Sequence, residues 1–136
     1  MEIIYTVAGI LGFTMSSAFG LLGIPYFGAP FITVGASASI FGFLGALVHY
    51  GKRTGSSHAR QMGLQNALFM GVMGFVFNGV DNAAHLGGFV GGYLASMIMD
   101  PLKPERIDHI LAAVVCLVVT LAAVLYPVIS ALPYLR

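Results

Sequence analysis

Charge is scarce in this chain: of 136 residues only 8% are Asp, Glu, Lys or Arg, against roughly a quarter in an average soluble domain. So few charges cannot cover a water-facing surface. With 58% hydrophobic residues and a mean hydropathy of +0.92, the chain reads as a membrane protein. Its net charge of +1 and the lack of any basic patch interleaved with aromatics exclude nucleic acid as a partner. Cysteine is nearly absent too. Cys116 stands alone in an apolar run, which excludes an intrachain disulfide and any cysteine-based metal or redox motif, and leaves it packing or facing lipid. No basic n-region precedes the first apolar run, and that run is too long for the h-region of a secretory signal, so it is expected to stay in the membrane. The abrupt entry of "IIYTVAGILGF" behind Glu2 suggests that something upstream is missing. There is no repeat and no low-complexity tract.

What the chain does have is apolar length. A bilayer crossing takes about 17 to 25 mostly apolar residues, and five stretches qualify: Ile3 to Leu22, Val34 to Tyr50, Met62 to Val80, Ala83 to Met99 and Ile110 to Leu132. The expected fold is therefore all-α, a polytopic bundle of about five transmembrane helices forming one domain over residues 1–136. The connections are "GIPYFGAPFIT", the basic "GKRTGSSHARQ", the short "DN", and the charged, proline-broken "DPLKPERIDH". With five spans, the second and fourth connections share a side and hold Lys52, Arg53, Arg60, Lys103 and Arg106, whereas the other side has only Arg136. The positive-inside rule then makes the basic loops cytoplasmic, most simply in a cell (inner) membrane.

That orientation puts Ser37, near the start of the second span, and His85, near the start of the fourth, at the outer ends of their helices. At 1.5 Å per residue each lies roughly 5 Å below its helix start, within reach of water through a protein-lined cavity. An ionisable residue inside a span is costly and is by default a functional hypothesis; the alternative for His85 is a neutral ring bonded to a backbone carbonyl. His49, His58 and His109 sit at or beside the basic loops, where a solvated or interfacial imidazole is expected. Ser37 taken alone most often packs, or bonds back to a carbonyl one turn earlier.

The conjunction is more specific. His85, Gly88 and Gly92 line one helical stripe, and Ser37, Phe41 and Gly45 line another. Glycine pairs such as Gly42 and Gly45, Gly71 and Gly74, and Gly88 and Gly92 have the spacing that lets helices approach closely in lipid. If the two stripes face each other, the hydroxyl meets the imidazole and Phe41 packs against the ring. A serine hydroxyl becomes a nucleophile when a base within about 2.6 to 3.2 Å takes its proton, and neutral imidazole is the usual base. Ser39 lies about 200° around the helix from Ser37, off the stripe. Asp81 could orient His85, but an N-cap role for Asp81 or Asn82 is the better reading, since either satisfies the orphan amides of the helix that follows. The glycine-free fifth span is expected at the periphery, with Pro127 bending or ending its last turns.

The stretches "VGASASIFGFLGA" and "DNAAHLGGFVGGY" resemble the rhomboid intramembrane serine proteases, which carry Gly-x-Ser-x at the head of one helix and His-x-x-Gly-x-x-x-Gly on another. Gly35, Ala36, Ser37, His85, Gly88 and Gly92 fall on those motifs. The resemblance implies an acid-free dyad, with Ser37 as nucleophile and His85 as general base and then acid, cutting transmembrane segments of other proteins near their outer ends. It also implies an oxyanion held by the backbone around Gly35, Ala36 and Ser37. No metal or organic cofactor is implied.

Two departures accompany the likeness. The chain is similar only to the third to sixth helices of the six-helix core, plus one appended helix, so the first two helices would have to lie upstream or come from another subunit. In relatives the second of those helices carries a His and an Asn that complete the oxyanion hole, and no His precedes Ser37 here. Losing one such donor costs about 10² to 10³ in rate, so the chain alone is expected to be nearly inactive. Ala38 also stands where a glycine often follows the serine. The runner-up reading is a non-catalytic rhomboid-like protein that binds transmembrane helices. A transporter or channel subunit is disfavoured because no ring or chain of charges lines the spans.

Overall fold

The computed structural model describes residues 1–24, 36–77, 79–100, 102 and 107–131. Five helices follow one another in chain order: α1 (Glu2–Leu21), α2 (Ser37–Thr54), α3 (Ser57–Val76), α4 (Asn82–Ile98) and α5 (Ile107–Ala131). Among the described residues there is no strand. Two of the helices, Glu2–Leu21 and Ile107–Ser130, are long and apolar enough to cross a membrane by length and composition. Large apolar side chains such as Phe13, Leu68, Phe75, Leu111 and Val118 point outward, the arrangement expected where the solvent is hydrocarbon.

Each helix end has a local cause. Gly23, at φ 61°, closes α1: the Ile24 amide bonds the Phe19 carbonyl at 3.2 Å and the Gly23 amide bonds that of Gly20 at 3.2 Å, the paired bonds of a Schellman stop. Between α2 and α3 the connection is far shorter than the basic stretch suggested. Gly55 adopts a left-handed conformation at φ 72°, and Ser56 immediately caps α3 by accepting from the Ala59 amide at 3.2 Å. Lys52 and Arg53 therefore lie on the last turn of α2, where cations suit the helix dipole. Helix α3 begins and ends earlier than the hydropathy pattern implied, because capping and not polarity sets its boundary.

Helix α4 is central, packing on both α1 and α2, while α3 leans mainly on α2. Few side chains fill the seams. The buried apolar set is Ala8, Ala38, Phe41, Ala83, Ala84 and Ala95, so backbones come together directly. A Cβ on Gly88 would overlap the Ala38 carbonyl, one on Gly92 would overlap the Gly42 carbonyl, and one on Gly45 would overlap the Phe89 carbonyl. The stripes at Gly45, Gly88 and Gly92 thus mesh as the spacing indicated. Gly71 does not follow suit: nothing lies within 4 Å of the position its Cβ would take, and Gly74 abuts the Asn82 side chain. The reason is that α3 turns this part of its face away from its neighbours.

Among the described residues, helix α5 packs against α1 alone, and its outward faces are apolar, which bears out its peripheral placement. The Thr6 and Thr120 hydroxyls meet at 3.5 Å between the two helices. Pro127 sits inside α5 without ending it, since the helix runs on to Ala131.

Replacing Gly92 by Ala forces a methyl into the Gly42 backbone and is expected to cost about 1 to 3 kcal/mol. Gly71→Ala meets open space and should be neutral or stabilising by up to about 1 kcal/mol through helix propensity. Thermal unfolding of both variants in the same detergent checks the contrast; equal losses would contradict this account of the seam.

Candidate active site

Ser37 is the first residue of α2, and Ala36 before it is the N-cap, with φ −80° and ψ 2°. No side chain caps this end, and the first amide to bond within the turn is that of Ile40, to the Ala36 carbonyl at 3.0 Å. The amides of Ser37, Ala38 and Ser39 therefore point out of the helix without an i−4 partner inside it, a geometry that favours negative charge. Gly35 lies outside the described residues.

One turn further along α2, Phe41 reaches α4. Its ring stacks on the His85 imidazole, with centroids 4.2 Å apart and planes inclined by 13°. This contact is possible because Gly88, one turn beyond His85, lets the α2 backbone at Ala38 come against α4. His85 is only 7% exposed, and its Nδ1 is buried without a hydrogen-bond partner among the described residues. The expected packing of Phe41 on the ring is thus present. Ser37 stands one helical turn from that stack, half-buried. Among the described residues, it is Phe41 that meets the His85 ring on α4, and no hydrogen bond joins the Ser37 hydroxyl to the imidazole.

Asp81 takes the capping role. One carboxylate oxygen accepts from the Ala84 amide at 2.8 Å, and the other accepts from the Ser16 hydroxyl of α1. The start of α4, and with it His85, is therefore pinned to α1 as well as to its own cap. Ser39 is likewise committed elsewhere, donating to the Tyr5 carbonyl at 2.8 Å, in keeping with its place off the stripe.

His49 departs from expectation. It is 6% exposed, its Nδ1 lies 2.9 Å from the Ser96 hydroxyl, and its ring meets Tyr93 edge-on at 5.4 Å. The cause is the length of α2: because the helix continues to Thr54, His49 is an interior residue facing α4 and not a loop-side one. Ser96 could have been found by extending the His85, Gly88, Gly92 stripe one more turn. Ser16 gave no local signal, since its partner is 65 residues away.

Comparison with known proteins adds a lineage to this geometry. The Rhomboid domain family model matches residues 1–102. Rhomboid protease GluP of Bacillus subtilis (strain 168) is 29% identical over 127 residues, covering 91% of this chain and 23% of the relative. RHOMBOID-like protein 1 of Arabidopsis thaliana is 31% identical over 100 residues, covering 71% of this chain and 24% of the relative. The chain thus spans about a quarter of the length of these curated relatives. No solved structure matches it.

Asp81→Ala removes both the cap and the Ser16 bond, and is expected to lower stability by about 2 to 4 kcal/mol. Ser16→Ala should cost less, and the double variant less than the sum, because the two residues share one interaction. Thermal unfolding of the three variants in one detergent measures that coupling, and strict additivity would contradict it.

Proposed function

The chain belongs to the rhomboid family, and from that membership together with the Phe41–His85 stack we propose that it is the carboxyl-terminal part of an intramembrane serine protease. The observation that carries the proposal is that α2 and α4, the helices bearing the two family motifs, close on each other beside Ser37, with the imidazole held flat against Phe41.

In this reading Ser37 Oγ attacks the scissile carbonyl of an unwound transmembrane segment while His85 Nε2 takes the hydroxyl proton. The tetrahedral oxyanion rests on amides at the head of α2, from Ser37 and its neighbours Ala36 and Gly35. His85 then returns the proton to the leaving amine; water, deprotonated by the same ring, attacks the acyl-enzyme, and the ring gives that proton back to Ser37 Oγ as the acyl–oxygen bond breaks. Gly88 and Gly92 keep the two backbones close enough for the hydroxyl to swing onto the ring. Apo sites often hold such bonds long or unmade until substrate arrives. The substrates are transmembrane segments of other proteins, and the working enzyme includes the two further core helices, upstream in the same chain or from another subunit.

All five helices cross the bilayer in this proposal. Lys52, Arg53 and Arg60 gather at the end of the α2–α3 pair remote from Ser37, which supports a cytoplasmic position for that end and an extracytoplasmic one for the site. A second reading, a non-catalytic member that grips transmembrane helices in the same groove, is favoured by the unjoined Ser37 hydroxyl and His85 ring.

Labelling with a fluorophosphonate probe separates the two. The protease reading expects label on the wild-type chain joined to its two missing helices, none on Ser37→Ala, and a loss of about 10² to 10⁴ in rate for His85→Ala with helical content unchanged. Label that survives Ser37→Ala, or no label on the complete core, would overturn it.

A further inference from the structure

A cavity of about 520 Å³ opens at the opposite end of the bundle from Ser37, between the first turn of α1, the end of α4 and the start of α5. Its volume is in the range of pockets that hold small organic ligands. The wall is aliphatic where the helices run into the apolar zone, through Ile4, Ile110, Ala113 and Leu117. The rim is polar, and the groups there are Glu2, Asp100 and His109, with Ser96 lining the cavity from its buried bond to His49.

The rim is also dipolar. Glu2 makes no ion pair among the described residues, whereas Asp100 holds the Arg53 guanidinium at 2.9 Å and thereby fixes a cation beside the mouth. Arg53 keeps donors to spare, since a guanidinium has five and its side chain is 48% exposed. Carboxylate and guanidinium thus stand side by side above an aliphatic slot. Among the described residues, no phenyl, phenol or indole ring lines the cavity, and such rings are what a quaternary ammonium needs for cation–π recognition.

We propose that this cavity binds a phospholipid with a primary-amine headgroup, of the phosphatidylethanolamine type. The ammonium donates to Glu2. The phosphate takes donors of Arg53, held by Asp100, and of His109 on the cavity lining, and one acyl chain lies along Ile4, Ile110, Ala113 and Leu117. A choline headgroup fits the same slot but cannot donate a hydrogen bond to the Glu2 carboxylate, and a glycerol headgroup brings the phosphate without a cation for Glu2. The site is independent of any chemistry at Ser37. It joins α5, which otherwise touches only α1, to the end of α4.

Native mass spectrometry of the detergent-purified chain, titrated separately with dioleoyl phosphatidylethanolamine, phosphatidylcholine and phosphatidylglycerol, tests the assignment. The ethanolamine lipid should be retained about tenfold more tightly than either of the others, one charge-assisted hydrogen bond being of that order. Glu2→Gln should abolish the preference while leaving the fold intact, and Ala113→Phe, which fills the slot, should lower retention of all three. Val124→Phe, on the exposed part of α5, should change nothing. Equal retention of the three headgroups, or a preference untouched by Glu2→Gln, would overturn the proposal, whatever the outcome of serine labelling.

Discussion

The structure depends on two backbones touching. Along the seam between α2 and α4 the contacts at Ala38, Gly42 and Gly45 on one side and Gly88, Phe89 and Gly92 on the other are made by main-chain atoms, with no side chain interposed. In hydrocarbon there is no hydrophobic drive to press helices together, so association relies on close van der Waals packing and on polar links. Small residues supply the first. They also determine which larger groups can share the seam, and Phe41 and His85 are the rings admitted at the end near Ser37.

Polar links supply the second, and they sit at both ends of α4. Asp81 ties the head of that helix to α1 through Ser16, and His49 ties its lower part to α2 through Ser96. Each group is buried, and each finds its partner on a neighbouring helix, as it must where water is scarce. The central helix is therefore fixed in register as well as in distance. A site assembled on it inherits that precision.

The seam was legible in the sequence because it is periodic. Ser37, Phe41 and Gly45 recur on a helical repeat, as do His85, Gly88 and Gly92, and the ring contact between Phe41 and His85 followed from facing the two. Other features were hidden for identifiable reasons. The stop at Gly55 and the cap at Ser56 were present as residues, but Lys52 and Arg53 interrupt a hydropathy window without interrupting a helix. His49, next to the expected end of the span, therefore reads as interfacial in the sequence, whereas it belongs to the core. Gly71 shared the spacing of the packing glycines yet faces open space, because spacing tells which residues share a face and not whether a neighbour occupies it. The Ser16–Asp81 bond joins distant parts of the chain and leaves no local trace. Gly35, which the motif assigns to the site, falls outside the described residues.

The fifth helix leans on the bundle along one edge only, and the family match ends at residue 102, before α5 begins. Most of its circumference is exposed and apolar and owes nothing to complementarity with protein. Side chains there can be exchanged for others of similar greasiness with little loss of contact, because few of them meet protein. The close-packed seams of α1, α2 and α4 carry the positions that a single methyl would disturb, and α5 is the element least bound by such limits.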